Sequence, residues 1–318
     1  MKSEIKLFAM PNSQVLGEKV SKQLKVPLAK LKFTRFSDGE VLLSAEETVR
    51  NKEVYVVASV SLPVNDSLMQ LLIFVDSLKR ASASKITVAI TYYGYSRQDR
   101  KAAGRQPIGA KLVADLLETA GVNKVIAVDL HNPSIQGFFD IPLDDLKGQY
   151  IMAPEINKAG KFTVASPDHG GAVRARVLAN LISNTVQIAI VDKRRTGPNQ
   201  SEVMNILGDV KDKNVVIIDD MIDTGGTIIK AAEALKQAGA LKIIIAASHG
   251  IFSKGFEAFD KASHIDQVIV TDSIESVYSI KSKKIKIVTL APMLAKAIKS
   301  SVDGLSIGEY YEQIKGKM

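Results

Sequence analysis

Two adjacent aspartates stand directly after an apolar run and before a glycine turn. Residues 215–227 read VVIIDDMIDTGGT, so Asp219 and Asp220 follow four apolar residues that are typical of a buried strand. Ionised side chains in that position are costly to bury without a partner, and the hydroxyl groups of a sugar are suitable partners. Backbone N–H groups and threonine hydroxyls of residues 223–227 can converge on a phosphate at the N-terminus of a following helix. The pattern favours a sugar-phosphate site, although Asp and Gly also mark ordinary turns and helix N-caps.

A carboxylate and an imidazole lie one residue apart after another apolar run. Asp129 and His131 open the segment DLHNPSIQGFFDIPLD at residues 129–144. A metal ion bound to nucleotide phosphates can use such ligands, because magnesium keeps most of its waters and takes few protein groups. A histidine near a strand end is more often a structural hydrogen-bonding group. The residues alone leave both interpretations open.

Cations are concentrated in two loops that follow apolar runs. The segment YSRQDRK, residues 95–101, supplies Arg97, Arg100 and Lys101, and VDKRRTGPN, residues 191–199, has three consecutive cations before Gly-Pro. Guanidinium and ammonium groups bind polyphosphate oxygens. The second loop is of a kind that can close over anionic substrates. A solvated charge run is the alternative for each.

Two shorter polar segments complete the set of candidates. SPDHGG, residues 166–171, stands between a strand-like run and a helical stretch, and is also compatible with an Asx-type turn. FSDGE, residues 36–40, offers an aromatic ring that can stack on a base and acids that can bind an exocyclic amine. On its residues alone, FSDGE is better described as a polar turn before a strand at residues 41–43.

The elements that must position these segments alternate between strand-like and helical patterns. Apolar runs rich in β-branched residues occupy residues 54–58, 86–90, 125–130, 162–165, 188–191, 215–218, 243–247 and 268–270. Because these runs are continuously apolar, they predict parallel strands covered on both faces. Helical stripes are formed by Leu68, Leu71, Leu72, Val75 and Leu78, and by Ile108, Leu112, Leu116 and Ala120. Gly121 and Gly239 follow such stripes, where a helix terminus favours glycine. The alternation predicts an α/β fold with mainly parallel sheets flanked by helices.

The alternation of strand-like and helical patterns has one long interruption, between Leu130 and about residue 160. This segment carries three prolines and has weak apolar periodicity. A chain of 318 residues exceeds the usual size of one hydrophobic core, so two domains are expected. We place the boundary near residues 146–150, with an N-terminal α/β domain at 1–147 and a C-terminal domain at 148–318.

Composition narrows the classes of function. The net charge of +8 favours anionic partners, but the aromatic fraction of 6% and the lack of tryptophan make a base-stacking platform improbable, so a small phosphorylated substrate is favoured over nucleic acid. The sequence has no apolar run of the ~18 residues needed to cross a membrane, and no signal-peptide pattern, so a cytoplasmic location is predicted. Absence of cysteine excludes disulfides, thiolate metal sites and cysteine nucleophiles.

Taken together, these segments resemble those of the ribose-phosphate diphosphokinases over nearly the whole chain. The stretch at 219–227 is similar to a ribose-phosphate loop that this family shares with phosphoribosyltransferases, whereas the segment at 129–144 resembles a signature that phosphoribosyltransferases lack. The resemblance implies two phosphoribosyltransferase-like domains. It also implies transfer of the β,γ-diphosphoryl group of Mg·ATP to the 1-hydroxyl of ribose 5-phosphate. The ATP site and metal signature would belong to the N-terminal domain, and the ribose 5-phosphate loop to the C-terminal domain.

The resemblance also implies a role for each matching residue. The catalytic cations would be Lys193 and Arg195. The ATP-binding residues would be Phe36, Asp38, Gly39, Glu40, Arg97 and Gln98. The ribose 5-phosphate-binding residues would be Asp219, Asp220, Asp223, Thr224, Gly225, Gly226 and Thr227. Mg²⁺ would be held by His131 and Asp168. A homo-oligomer is implied as well, a hexamer built of dimers in which residues 36–40 serve a neighbouring protomer.

Two other classes of protein stay open on these arguments. A phosphoribosyltransferase would share residues 219–227, but would have no use for the 129–144 segment. A catalytically silent regulatory homologue would have lost its basic loop or metal residues, yet Lys193, Arg195, His131 and Asp168 are present. The C-terminal sequence LSIGEYYEQIKGKM departs from the family's Ser-rich aromatic tail, so no regulatory phosphate or ADP site is assigned.

Overall fold

The computed structural model of the protein describes residues 5–182, 187–194 and 203–315. In chain order the strands are β1 (Ile5–Ala9), β2 (Leu31–Arg35), β3 (Val41–Ala45), β4 (Glu53–Ser59), β5 (Lys85–Tyr92), β6 (Lys124–Val128), β7 (Leu143–Leu146), β8 (Thr163–Ser166), β9 (Ile188–Arg194), β10 (Val203–Leu207), β11 (Val215–Ile222), β12 (Ile243–Gly250), β13 (Gln267–Thr271) and β14 (Ile285–Val288). The α-helices are α1 (Gln14–Leu24), α2 (Val64–Arg80), α3 (Gly109–Ala120), α4 (Gln149–Lys158), α5 (Ala172–Ile182), α6 (Gly226–Gln237), α7 (Glu257–Lys261), α8 (Ala291–Asp303) and α9 (Gly308–Lys315). Short 3-10 helices occupy Pro11–Ser13, Pro133–Phe138 and Glu275–Ser279.

The chain divides into two compact units. The first comprises the chain up to Lys147 together with Ser273–Glu275 and Leu290–Ile307, and the second comprises the remaining segments from Gly148 onward. The two later segments belong to the first unit because α8 packs against α1 and the Thr91 hydroxyl donates to the Ser273 carbonyl oxygen at 2.6 Å. The division into functional domains at 1–147 and 148–318 stays a prediction. The segments Ser273–Glu275 and Leu290–Ile307 depart from that division, because they belong to the first compact unit.

In the first unit, the described strands form a parallel sheet in the order β1-β4-β5-β6-β7. A separate antiparallel hairpin, β2-β3, packs against α2. The core of this unit contains alternate residues of β4 and β5, such as Val54, Val56, Val88 and Ile90, packed against buried residues of α2 and α3. The loops after β5 and β6 therefore leave the same edge of a buried sheet.

In the second unit, the described strands form a sheet in the order β10-β9-β8-β11-β12-β13-β14, in which β10 alone runs antiparallel to its neighbour. Val215 and Ile217 belong to one buried cluster, and Val216 and Ile218 belong to another. Successive side chains of a strand point to opposite faces, so both faces of this sheet are covered. This explains why the central strands are continuously apolar in sequence.

The predicted fold class is confirmed, and each of the eight predicted apolar runs overlaps a strand. The sequence analysis missed β1, β2, β7, β10 and β14. Of these, β1, β7, β10 and β14 end their sheets and β2 belongs to the hairpin. Each of these strands has a charged or polar residue within it, so none shows the continuous apolar run on which the prediction depended.

One predicted helix has a different buried face from the one we predicted. Helix α3 is present, but Leu112 is 58% exposed and Leu116 is 37% exposed. Its buried face is instead formed by Ala110, Val113, Ala114 and Leu117. This face packs against α2 and the 3-10 helix Pro133–Phe138, and the hydrophobic pattern of α3 alone does not reveal which neighbours it meets. Among the described helices, none is long and apolar enough to cross a membrane.

Candidate active site

Asp219 and Asp220 lie within strand β11. The strand continues to Ile222 because Met221 and Ile222 extend the pairing with β12. The predicted strand end at residue 218 was therefore wrong, since apolar residues after the two aspartates prolong the ladder. The carboxylates project from regular strand backbone at the carboxyl edge of the sheet, where open α/β sheets bind ligands.

A cation on the neighbouring helix α5 pairs with both carboxylates. Arg174 Nη1 lies 3.1 Å from Asp219 Oδ1 and 3.5 Å from Asp220 Oδ1. The Asp219 side chain is 26% exposed, whereas that of Asp220 is 5% exposed. Asp219 is therefore the more accessible of the two to a ligand. Sequence reasoning missed Arg174.

The electrostatics of this cluster follow from its burial. Burial and the adjacent Asp220 carboxylate raise the pKa of Asp219 to about 7, and the Arg174 guanidinium opposes that rise. A carboxyl group with so large a shift at a sheet edge is a candidate for function. One sequence signal for Arg174 existed, since a cation in the first turn of a helix is disfavoured by the helix dipole and calls for a compensating anion.

The turn after β11 exposes the N-terminus of helix α6. Gly225 has a φ of 81°, and a Cβ built on it would lie 2.6 Å from the Phe259 ring, so both the backbone conformation and the packing require glycine. The Asp223 carboxylate accepts a hydrogen bond from the Ser253 hydroxyl. Thr224, Gly226 and Thr227 are exposed. Exposed N–H groups at the start of a helix form a ready site for a phosphate.

The turn after β8 is built as a helix cap. Asp168 Oδ1 accepts the Gly171 N–H at 3.0 Å, and the Ser166 hydroxyl donates to the Asp168 carbonyl oxygen at 2.6 Å. The Asp168 side chain is exposed. The Asx-type turn that we considered is therefore present, and it leaves a solvent-facing carboxylate beside the helix that carries Arg174.

Strand β9, which pairs with β8 in the same sheet, carries the predicted catalytic lysine. Lys193 pairs with Met204 of the antiparallel strand β10. The preceding residue, Asp192, lies 3.0 Å from His169 Nε2, which connects β9 to the turn after β8. Arg195 and the rest of the predicted basic loop lie outside the described residues. Because β9, β8 and β11 are parallel neighbours, Lys193, Asp168 and Asp219 belong to one edge of one sheet.

In the first unit, strand β6 ends just before the predicted metal signature. Asp129 is 8% exposed and has a φ of 41°, a left-handed conformation that is costly for a residue with a Cβ. Its N–H donates to the Leu146 carbonyl oxygen at 2.8 Å. The sharp turn that follows places His131 at the surface, where its side chain is exposed.

A buried carboxylate supports this turn. Asp145 on β7 accepts the Leu130 N–H at 3.1 Å and pairs with the Lys147 ammonium group. Burial raises the pKa of Asp145, and Lys147 counteracts the effect. The backbone just before His131 is thus held by two hydrogen bonds to β7, one to the Leu146 carbonyl oxygen and one to the Asp145 carboxylate.

A side-chain hydrogen bond joins the loops after β5 and β6. Asn132 Nδ2 donates to Asp99 Oδ2 at 2.6 Å, while Asn132 Oδ1 accepts the Ser134 N–H at 3.0 Å. The bond links the segment containing Arg97 and Gln98, both exposed, to the residue that follows His131. Sequence reasoning predicted both segments but not the pair that joins them.

The β2-β3 hairpin presents the predicted adenine loop. Its tip is closed by the Phe36 N–H, which donates to the Glu40 carbonyl oxygen at 2.8 Å, and by Asp38 Oδ1, which accepts the Glu40 N–H at 3.1 Å. Phe36 is 47% exposed, so its ring is open to stacking. Gly39 and Glu40 also border a cavity of about 300 Å³ between the hairpin and α2.

The structure distributes the predicted site residues over the two units. The first unit carries Phe36, Asp38, Gly39, Glu40, Arg97, Gln98 and His131. The second unit carries Asp168, Lys193, Asp219, Asp220, Asp223, Thr224, Gly225, Gly226 and Thr227. Within the second unit, an acid pair, an exposed helix N-terminus and a further carboxylate come to one edge of a sheet. That arrangement can bind a phosphorylated sugar through both its hydroxyl groups and its phosphate.

Comparisons with known proteins identify the family. A family model described as the N-terminal domain of ribose phosphate pyrophosphokinase matches residues 5–121, and one described as a phosphoribosyl synthetase-associated domain matches residues 174–312. The chain is 58% identical to a ribose-phosphate pyrophosphokinase of Mycoplasmopsis pulmonis, with 96% of each chain covered. It is 47% identical to that of Staphylococcus epidermidis, with 93% of each covered.

A solved structure supports the same assignment. The crystal structure of phosphoribosylpyrophosphate synthetase from Mycobacterium smegmatis matches with a TM-score of 0.88 and 36% sequence identity, over 95% of this chain and 99% of that one. Both the sequence and the fold agree over almost the entire length. This chain therefore belongs to the ribose-phosphate pyrophosphokinase family.

Proposed function

We propose that the protein transfers the β,γ-diphosphoryl group of Mg·ATP to the 1-hydroxyl of ribose 5-phosphate. The products are 5-phosphoribosyl 1-diphosphate and AMP. The observation that carries this proposal is that the β11 carboxylates stand only six residues before the exposed N-terminus of α6, at the same edge of the sheet. Family membership supports ATP as the donor.

Ribose 5-phosphate would be held by two kinds of contact. The exposed N–H groups and hydroxyls of residues 223–227 bind the 5-phosphate, because the helix terminus carries partial positive charge. Asp219, with 26% of its side chain exposed, accepts a hydrogen bond from a ribose hydroxyl group. Asp220 is nearly buried and contributes charge and orientation beside it.

Diphosphoryl transfer requires positioning and neutralisation of negative charge more than covalent chemistry by the protein. The 1-oxygen of the sugar attacks the β-phosphorus, its proton leaves, and the bond from the β-phosphorus to the oxygen of the α-phosphate breaks, which releases AMP. Lys193 and Arg195 are proposed to stabilise the charge that develops on the transferred group. Loss of one preorganised group of this kind costs about 3 kcal/mol in the barrier.

The donor atoms present fit a magnesium ion that keeps water and substrate ligands. Among the described residues there is no group of three or more His, Cys, Asp or Glu side chains that could form a complete protein shell. Asp168 and His131 are each exposed, and Asp168 has one carboxylate oxygen engaged by the Gly171 N–H. We propose His131 in the first unit and Asp168 in the second unit each as a Mg²⁺ ligand, and the Asp168 carboxylate is of the type that Mg²⁺ prefers. When bound, Mg²⁺ supplies neutralisation of polyphosphate charge.

The nucleotide would be recognised by residues of the first unit. Phe36 stacks on the adenine while Asp38, Gly39 and Glu40 bind its polar edge, and Arg97 and Gln98 contact the phosphate chain and ribose. We further propose a cytoplasmic homo-oligomer, a hexamer built of dimers, in which residues 36–40 serve a neighbouring protomer. Full activity of a monomer in dilute solution would contradict this assembly.

One assay tests the reaction. The protein is incubated with ATP, Mg²⁺ and ribose 5-phosphate, and AMP and 5-phosphoribosyl 1-diphosphate are quantified together. Equal amounts of the two products are expected, and omission of ribose 5-phosphate should abolish AMP release. Formation of a nucleotide from a free base and 5-phosphoribosyl 1-diphosphate, without AMP release in the first assay, would favour a phosphoribosyltransferase instead.

A further inference from the structure

Arg174 occupies a position that the helix itself disfavours. It is the third residue of α5, where the partial positive charge of the helix N-terminus repels a cation. The side chain is also 23% exposed, so most of it has left solvent. A cation held at such a site requires compensation from nearby anions. The two β11 carboxylates provide it.

The guanidinium engages Asp219 through one defined oxygen atom. Asp219 Oδ1 accepts Arg174 Nη1 at 3.1 Å and the Asp220 N–H at 2.9 Å. Two donors on Oδ1 fix the rotation of the carboxylate. Oδ2 is then the oxygen with capacity to accept a ligand hydroxyl, and the side chain is exposed enough to be reached.

The frame that holds Arg174 is itself rigid. The turn before α5 is closed by the bond from the Gly171 N–H to Asp168 Oδ1 and by the Ser166 hydroxyl. A Cβ on Gly171 would lie 2.6 Å from Ser166 Oγ, so the turn permits no side chain there. Strand β8, which leads into this turn, is hydrogen-bonded directly to β11. The position of the guanidinium relative to Asp219 is therefore set by neighbouring elements of one sheet.

We infer that Arg174 is a positioning residue for the sugar: it holds Asp219 by Oδ1 and leaves Oδ2 to accept a ribose hydroxyl of ribose 5-phosphate. This inference rests on the proposed function. It adds a residue that acts through Asp219 and does not itself touch the reacting atoms. Burial and Asp220 raise the pKa of Asp219, and Arg174 favours its ionised form, which is the form that accepts hydrogen bonds through both oxygens.

The first test separates the two substrates. Arg174→Met removes the charge and keeps much of the side-chain length, Arg174→Lys keeps the charge, and Arg176→Met is the matched control on an exposed position of the same helix. Arg174→Met should raise the KM for ribose 5-phosphate about ten- to hundredfold, the range expected for a hydrogen bond to a charged group. The KM for Mg·ATP should stay within about threefold. Arg174→Lys should restore part of the loss, and Arg176→Met should match the wild type.

The second test asks whether Arg174 acts through a sugar hydroxyl. The kcat/KM values for 2-deoxy- and 3-deoxyribose 5-phosphate are compared with that for ribose 5-phosphate in the wild type and in Arg174→Met. If the guanidinium acts by positioning Asp219 for the hydroxyl, the losses in kcat/KM caused by removing the hydroxyl and by removing Arg174 are non-additive for at least one analogue. The preference for the natural sugar should then shrink about as much as Arg174→Met costs.

The outcomes distinguish this inference from the proposed function. A wild-type protein that releases no AMP in the presence of ribose 5-phosphate overturns both. An active wild type in which Arg174→Met raises both KM values equally, or shows additive losses with both deoxy sugars, overturns the positioning role alone. If Arg174→Met does not fold, as judged by its Tm, the charge-removing variant Arg174→Gln is measured in its place, with the same expected and overturning results.

Discussion

The replacement of Gly225 by alanine probes the turn between β11 and α6 most directly. Gly225 precedes helix α6 in a left-handed conformation, with a φ of 81°. A Cβ at this position would lie 2.6 Å and 2.7 Å from two atoms of the Phe259 ring. Phe259 is fully buried and packs against Phe252 and Phe256, with ring centroids 5.6 Å and 5.2 Å away. The ring therefore has little room to move aside.

Two costs add in this variant. A residue with a Cβ in the left-handed region costs about 1–2 kcal/mol, and forcing an extra carbon into packed surroundings costs about 1–3 kcal/mol. The expected loss in the free energy of unfolding is therefore about 2–5 kcal/mol. At about 2–4 °C per kcal/mol for domains of this size, the Tm should fall by roughly 4–20 °C.

Thermal unfolding by calorimetry tests this estimate, with Gly226→Ala as the control. A Cβ on Gly226 would meet no atom within 4 Å, and Gly226 is the first residue of α6. Alanine should therefore leave the Tm of that variant unchanged or slightly higher, because alanine favours the helix by about 0.5–1 kcal/mol. Equal Tm values for Gly225→Ala and the wild type, or a larger loss in Gly226→Ala, would refute the packing argument.

Three further predictions concern activity. The kcat/KM for ribose 5-phosphate should fall as the pH drops below about 7, because protonation of Asp219, whose pKa is raised to about 7, removes a hydroxyl acceptor. Asp219→Asn should lower kcat/KM and abolish this acidic fall in the pH profile. If the acidic fall is unchanged in Asp219→Asn, a group other than Asp219 causes it. Lys193→Ala should lower kcat by at least about a hundredfold with little change in the Kd of ATP, and near-normal turnover would contradict its role. Asn132→Ala should raise the KM for ATP severalfold, because it breaks the 2.6 Å bond to Asp99. Asn132→Asp should raise the KM for ATP more, because two carboxylates would then face each other. Equal KM values for ATP in both variants and the wild type would exclude a positioning role for the bond.

Local patterns in the chain determined the fold class and the candidate segments. Continuous apolar runs identified the central strands, because both faces of each sheet are covered and most side chains of such a strand are apolar. Polar residues directly after those runs identified the loops at residues 95–101, 129–144 and 223–227. These signals depend on near neighbours in sequence, which is why they could be read without coordinates.

Tertiary structure alone decided which groups meet. Arg174 pairs with Asp219, 45 residues away in sequence, because β8 and β11 are adjacent in the sheet, and strand order is not encoded in any local period. The Asp99–Asn132 bond depends in the same way on β5 and β6 being neighbours. The buried face of α3 was mispredicted because α2 and the 3-10 helix Pro133–Phe138 cover a different face from the one that carries Leu112 and Leu116. Periodicity reports how apolar a position is, whereas contact depends on which surfaces the completed fold brings together.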